Sequence, residues 1–302
     1  MAYNMKEILS REERFTGGHR LCAGCGAGIA VRGVLRALNE EDRAVIGNAT
    51  GCLEVSSFLY PYTAYEDSYI HTAFESAGAS LSGVEAAYNA LKRKGKVKDT
   101  VKFITFGGDG GTYDIGFQSL SGAMERGHDL TYVCYDNEAY MNTGIQRSSS
   151  TPHFADTTTP PVGSVIPGKL QQKKNLTKIM VAHGIPYAAQ TTFMTNMKDL
   201  SEKAKKAIYT PGAAFLNVMA PCPRGWRYPS EKLMEVTKAA VETCVWPLYE
   251  VVEGKYSLTY RPKNKRPVEE YLKMQGRFAH MFKPGNEWMI EQVQKEVDRN
   301  WE

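Results

Sequence analysis

The chain has 302 residues, 42% hydrophobic and 23% charged, with a net charge of +4. This is the balance of a globular protein able to bury a sizeable core in one or two domains, and the mild charge speaks against a face built for nucleic acid. No apolar run reaches the roughly 18 residues of a membrane span, and the N-terminus carries acidic groups where a signal peptide has an apolar core, so no membrane span and a cytoplasmic location are expected.

Residues 7–15 predict a short helical lead-in before Gly17-Gly18. Next comes Gly18-His19-Arg20-Leu21-Cys22-Ala23-Gly24-Cys25-Gly26, followed by helical spacing of Ile29, Val31, Val34 and Leu35 over residues 27–38. Cys22 and Cys25 on a glycine-rich turn suit three chemistries. Zinc would want a second cysteine or histidine pair nearby; a redox dithiol would follow a strand; an iron–sulfur cluster would need two more thiolates, which the chain can supply from a distance. Cys52 follows the short apolar run Val45-Ile46-Gly47 and a small-residue turn, Asn48-Ala49-Thr50-Gly51. Cys222 follows the apolar run 215–219 and lies between Pro221 and Pro223. Both sit where strand ends would place ligands, although small buried residues would read the same way. Cys134 and Cys244 lie within apolar elements and read as core.

The stretch from Leu53 to His71 is rich in aromatic residues without a clean period, which predicts a loop at a pocket or subunit contact. Thr72 or His71 would cap a helix over 73–93, whose small residues predict close packing against another backbone. Glu54, Glu75 and His71 are candidate pocket groups beside the plainer reading of helix-start acids and a cap. Lys92-Arg93-Lys94 reads as a solvated helix end.

The centre of the chain is residues 101–144. An apolar strand over 101–106 runs into Gly107-Gly108-Asp109-Gly110-Gly111; a helix over 114–124 and a second apolar strand over 130–135 follow, ending at Asp136-Asn137. Both polar ends fall at strand carboxyl ends, where an open α/β sheet binds its ligand. Glycine lets backbone approach a phosphate, and the following helix start favours its charge. A carboxylate beside that anion requires a cation between them. Mg²⁺ takes oxygen ligands and shares phosphate oxygens, so Asp109 and Asn137 predict a Mg–diphosphate site.

Residues 138–144 form a polar loop. The following stretch, 145–169, holds four prolines and no periodicity, and predicts a lid or partner-binding arm. A helix over 176–183 capped by Asn175, a strand over 187–192, a basic helix over 197–209 with a solvated lysine face, a strand over 213–219 and a helix over 231–243 continue an α/β pattern. Residues 250–302 read as a β stretch, a basic turn at 262–267 and two helices.

The glycine-flanked Asp109 with Asn137 about 28 positions on resembles the diphosphate motif of thiamine diphosphate enzymes. That resemblance implies a metal held by Asp109, Asn137 and the carbonyl of Ala139; where that family usually has a pair of asparagines, this chain has Asp136-Asn137. Taken together and in order, the CAGCG, NATGC, GGDGGTYDIG, YDNEAYMNTG and PCP motifs resemble the β subunit of 2-oxoacid:ferredoxin oxidoreductases of the pyruvate type over nearly the whole chain. The resemblance implies an α/β thiamine diphosphate-binding fold, a central mostly parallel sheet flanked by helices, over 1–245, with a C-terminal extension, 246–302, contacting partner subunits. It implies thiamine diphosphate held by Mg²⁺ and one [4Fe–4S] cluster on Cys22, Cys25, Cys52 and Cys222. Cofactor contacts would come from Gly51, Cys52, Gly108, Gly110, Gly111, Tyr140, Asn142 and Thr143, with Asn142 close to the reacting carbon. The implied reaction is oxidative decarboxylation of a 2-oxoacid, with electrons passed to ferredoxin and the acyl group to coenzyme A. The carboxylate that activates the aminopyrimidine ring would come from another subunit. Pyruvate is the expected substrate, and a branched-chain 2-oxoacid or oxalate the alternative. Two other classes remain on the residues alone. A non-catalytic cluster protein would have no need of Asp109 or Asn137, and a plain thiamine decarboxylase would leave the cysteines idle.

Overall fold

The apolar runs become strands of one twisted sheet in the computed structural model, which describes residues 6, 10–194 and 197–301. The first helix, α1 (Gly26–Leu35), leads into β1 (Arg43–Ala49). A short helix α2 (Cys52–Ser57), the hairpin strands β2 (Phe58–Leu59) and β3 (Tyr62–Thr63), and strand β4 (Ser68–Thr72) follow. Then come α3 (Ala77–Arg93), β5 (Val101–Gly108), a wide π-helical turn over Gly110–Ile115, α4 (Phe117–Glu125) and β6 (Thr131–Asp136). The second half supplies α5 (Leu176–Val181), β7 (Tyr187–Thr192), α6 (Lys198–Tyr209), β8 (Ala214–Met219), α7 (Pro223–Trp226) and α8 (Leu233–Glu242). The chain closes with the hairpin strands β9 (Tyr249–Val252) and β10 (Lys255–Leu258), α9 (Val268–Lys273) and α10 (Glu287–Trp301).

The eight-stranded sheet runs β10-β9-β7-β8-β6-β5-β1-β4. Strands β4, β1, β5, β6, β8 and β7 are parallel, and β9 joins β7 antiparallel. Parallel strands carry helices on both faces, so alternate residues feed two cores. On β6, Val133 and Tyr135 belong to one core, with Val31 and Val34 of α1, whereas Tyr132 and Cys134 belong to the other, with Leu81 and Leu120. The expected α/β fold is the one observed. The close approach expected of the small-residue helix α3 is seen at Gly78, where a Cβ would lie 3.0 Å from the carbonyl oxygen of Ser119.

Three expectations need correction. The aromatic stretch after Cys52 is structured, and its end is β4, paired with β1. An edge strand of five residues, of which only Thr72 is buried, has too little apolar alternation to stand out. With Thr72 and His71 in that strand, α3 starts later, after Ser76. The lysines of α6 are not all solvated. Lys203 is buried, with Nζ 2.8 Å from Asp199 and donating to the Gln190 carbonyl at 2.9 Å. The expected lead-in helix lies partly outside the described residues; past it, Phe15 bridges to Tyr65.

Candidate active site

Because β1, β5, β6 and β8 are neighbours and parallel, their carboxyl ends form one edge. Cys52 follows β1, Asp109 follows β5, Asn137 follows β6 and Cys222 follows β8. Four segments scattered through the sequence thus meet by topology alone. A narrow cleft on this edge is lined by Thr50, Gly51, Cys52, Gly108, Gly110, Gly111, Asn137, Ala139, Tyr140, Asn142 and Thr143, among others. Glycine is required in its wall, since a Cβ at Gly110 would collide with the Tyr140 ring and one at Gly51 would lie 2.5 Å from the Tyr135 hydroxyl.

Asp109 lies beneath the cleft, fully buried. Its Oδ1 accepts the backbone N–H of Asn137 at 3.2 Å, and its Oδ2 accepts the Ser148 hydroxyl at 2.5 Å. The amide oxygen of Asn137 lies 2.8 Å from Asp109 Oδ1 and 2.9 Å from the Ala139 carbonyl. Turned over, the amide would donate to both; as placed, three acceptors converge. Burial, and next the charge of Asp136, push the Asp109 carboxyl well above its ordinary range, against the pull of Ser148 and Lys173. A hard cation among these oxygens would relieve both the convergence and the buried charge, so the donor set fits Mg²⁺.

The intervening residue, Glu138, has φ of 69°, a left-handed conformation that costs a residue with a side chain about 1–3 kcal/mol unless its surroundings fix it. Those surroundings are charged and buried. Glu138 accepts from Arg277 Nη2 at 2.5 Å and from Lys173 Nζ at 2.9 Å, and its N–H donates to Asp136 at 3.1 Å. Asp136 also takes Lys173 at 3.0 Å, the Tyr113 hydroxyl at 2.8 Å and the Ser150 hydroxyl at 2.6 Å. Burial raises the Glu138 carboxyl, and the two cations more than offset this, holding it below its ordinary range. Lys173 and Arg277 escaped the sequence reading, and Glu138, expected to reach over the diphosphate with the rest of the polar loop, instead turns inward to these two cations; only the unusual aspartate at 136 hinted that its neighbourhood differs.

The segment expected as a lid or arm is not free in its first half. Ser148, Ser150 and Thr151 are buried, and Thr151 donates to the Glu138 carbonyl at 2.7 Å. Hydroxyls that can satisfy buried carboxylates read as loop composition in a sequence, because the acceptors lie elsewhere in the chain. Glu54 is buried 2.9 Å from His71, and Glu75 is exposed.

The CxxC turn packs on the turn after β8. Gly26 N–H donates to the Pro221 carbonyl at 3.1 Å, and a Cβ on Gly26 would lie 2.7 Å from the Ala220 backbone. Burial, and then the charges of Cys222, Cys25 and Cys22, push the Cys52 thiol up to about 12. Burial also lifts Cys25 to about 11, against the pull of the Ala27 and Gly28 amides. Gly225 N–H points at the Cys222 sulfur at 3.4 Å. The four thiols therefore lie within each other's fields, and Cys52 feels Asp109 as well. Among the described residues, no three His, Cys, Asp or Glu side chains are close enough to grip one metal ion. Cys134 and Cys244 are buried, Cys134 within β6 and Cys244 just beyond α8.

Residues 46–218 match the family described as thiamine pyrophosphate enzyme, C-terminal TPP binding domain. Pyruvate synthase subunit PorB of Thermotoga maritima is 52% identical, with 100% of this chain and 95% of the relative covered. The subunit of the same name from Methanocaldococcus jannaschii is 54% identical over 95% of both chains. The chain belongs to the β subunits of 2-oxoacid:ferredoxin oxidoreductases, pyruvate synthase type.

A ketoisovalerate oxidoreductase subunit VorB from Pyrococcus abyssi is also 46% identical to this β subunit, over 96% of the chain and 92% of the relative. Its fold matches a solved 2-oxoglutarate:ferredoxin oxidoreductase from Magnetococcus marinus at a TM-score of 0.59 and 22% identity, covering 75% of this chain and 79% of that one. The thiamine-binding domain of this oxidoreductase subunit holds Cys52, Asp109, Asn137 and Ala139; Cys22, Cys25 and Cys222 lie just outside its bounds, on segments folded back against it. Among the described residues, no helix is long and apolar enough to cross a membrane.

Proposed function

We propose that this β subunit carries the oxidative decarboxylation of pyruvate within its complex, passing electrons one at a time through a [4Fe–4S] cluster to ferredoxin in the cytoplasm and delivering the acyl group to coenzyme A. The observation that carries this reading is the convergence of two donor sets on one sheet edge: the oxygens of Asp109, Asn137 and Ala139, and the thiols of Cys22, Cys25, Cys52 and Cys222, with Cys52 within the field of Asp109.

Bound thiamine diphosphate supplies an electron sink for the bond to the departing carboxylate. Asp109, Asn137 and the Ala139 carbonyl would hold Mg²⁺ against the diphosphate. Gly108, Gly110 and Gly111 would leave room for the phosphates; Tyr140, Asn142 and Thr143 line the same cleft, and Asn142 would lie close to the reacting carbon. Each of the four thiolates would take one iron corner of a cubane, which spreads its ligands wider than a single ion does, and the amides aimed at Cys25 and Cys222 would lower the cost of the thiolate charge. This chain offers no assigned carboxylate for the aminopyrimidine ring, so a partner subunit would supply it. Residues 246–302 are the proposed partner-facing extension, which the exposed Tyr256, Leu258 and Trp288 support.

A branched-chain 2-oxoacid is the second reading, favoured by the likeness to the ketoisovalerate subunit. The test is one purified sample of the assembled complex, analysed for iron, sulfide and thiamine, then assayed for ferredoxin reduction with each 2-oxoacid and coenzyme A. Pyruvate should give the fastest reduction, and the β subunit alone should give none until mixed with its partners. A complex with thiamine but no iron or sulfide, or turnover by the isolated chain, would overturn the proposal.

A further inference from the structure

Trp226 ends α7, the helix that begins just after Cys222, and is wholly buried. Its backbone N–H donates to the Cys222 carbonyl at 3.0 Å. Its indole Nε1 donates to the backbone carbonyl of Asn137 at 2.7 Å. One side chain therefore runs from the cysteine turn after β8 to the oxygen-bearing turn after β6.

The ring has little freedom. The guanidinium of Arg277 lies over it, 4.0 Å from its centroid, while Nη2 of the same group holds Glu138 at 2.5 Å. Gly276 brings Arg277 this close: its N–H donates to the Arg227 carbonyl at 3.1 Å, and a Cβ there would lie 2.8 Å from that of Arg227. The indole fixes the carbonyl of Asn137, and Arg277 with Lys173 fixes the carboxylate of Glu138. These bonds bracket the one left-handed residue of the turn, at φ of 69°. Such a conformation persists only where its neighbours over-determine it, and it is what turns the Asn137 amide and the Ala139 carbonyl toward Asp109.

We infer that Trp226 is a positioning residue for the cation turn. It touches none of the three oxygens that face the cation. Its N–H holds the Asn137 peptide so that they converge, and it makes the geometry of that turn depend on the cysteine turn from which the indole springs. The inference rests on the reading of Asp109, Asn137 and Ala139 as the Mg²⁺ site.

The test compares wild type, Trp226→Phe and Tyr187→Phe in the full chain assembled with its partner subunits. Tyr187 is a buried control: its hydroxyl donates to Glu250 at 2.8 Å from the start of β7, at the opposite end of the sheet from the site. Calorimetry reads the Kd of thiamine diphosphate at several Mg²⁺ concentrations, and melting reads stability. Trp226→Phe should weaken binding about tenfold at limiting Mg²⁺, the loss expected of one buried hydrogen bond, and excess Mg²⁺ should restore it. Tyr187→Phe should leave the Kd unchanged although it too lowers the melting temperature. Arg277→Lys, which keeps a charge beside Glu138 but removes the plane stacked on the indole, should weaken binding in the same direction and serves if Trp226→Phe does not fold. Equal Kd values for wild type and Trp226→Phe, or equal losses in both phenylalanine variants, would overturn the inference while leaving the site assignment standing. A wild type that binds no thiamine diphosphate with Mg²⁺ would overturn the site assignment and the inference together.

Discussion

Ser148 donates its hydroxyl to Oδ2 of Asp109 at 2.5 Å, across 39 residues of sequence. A segment whose composition reads as a solvent-facing arm therefore forms part of the floor beneath the cleft. Ser148→Ala leaves a fully buried carboxyl oxygen without its donor, which should lower stability by about 1–3 kcal/mol. Urea unfolding of the variant measures this, and a change under about 0.5 kcal/mol would show that Asp109 is satisfied by other means.

Asp109→Ala should lose Mg²⁺ and thiamine diphosphate together. The diphosphate would face an ion missing its one protein carboxylate. Loss of an outer-shell partner of a metal site already costs 10–100-fold, so loss of a direct ligand should weaken binding by more than about 100-fold. The visible absorbance of the proposed cluster should survive, since no thiolate changes. Thiamine binding as tight as wild type would show that Asp109 is not a ligand.

The parts legible in the sequence are those whose physics is local. Strands β5, β6, β7 and β8 are buried on both faces, so they read as short, largely apolar runs ended by glycine, polar residues or, after β8, proline, and the expected bounds of β7 coincide with the observed ones. Asn175 caps α5 by accepting from Lys178 N–H at 3.1 Å, as a start signal three residues upstream should. The thiamine domain was legible because a glycine and carboxylate pattern at strand ends carries its chemistry with it. The supports of the site were not. Glu138 meets Lys173 across 35 residues and Arg277 across 139, and no periodicity announces such a meeting. Arg277 sits in a tail that reads only as a β stretch, a basic turn and two helices, yet its guanidinium is almost fully buried beside the site.

Glu138→Gln tests that support through pH. Lys173 and Arg277 keep the native carboxyl ionised where the unfolded chain, titrating near 4.5, has taken up its proton. Below that pH the unfolded state binds more protons, so the stability this group contributes is present above about 4.5 and fades as pH falls through the lower native value. At pH 7 the variant leaves the buried Arg277 and the half-buried Lys173 without their shared carboxylate, a loss of about 3–5 kcal/mol. Chemical unfolding of both proteins at several pH values should show this gap narrowing below about pH 4.5. A gap constant down to pH 3, or widening, would rule out an ionised Glu138 as the anchor of the turn.

Cys222→Ser should lose or degrade the proposed [4Fe–4S] centre, although Cys222 is remote in sequence from the other three cysteines. It caps α7 from between two prolines, in extended backbone at the end of β8, and its sulfur accepts the Gly225 N–H. The CxxC turn is bonded to this turn through Gly26 and Pro221, and the Cys222 charge is felt at both Cys25 and Cys52. A cubane has four iron corners; with the Cys222 corner offered only a weakly binding hydroxyl, iron should fall below the roughly four per chain of an intact cluster. Cys134 is wholly enclosed on β6 and Cys244 is buried beyond α8, and no other cysteine is among the charges either of them feels most. Cys134→Ser and Cys244→Ser should therefore keep both the iron count and the electron paramagnetic resonance signal of the reduced protein. Iron and signal unchanged in Cys222→Ser but lost in either core variant would assign the fourth ligand elsewhere.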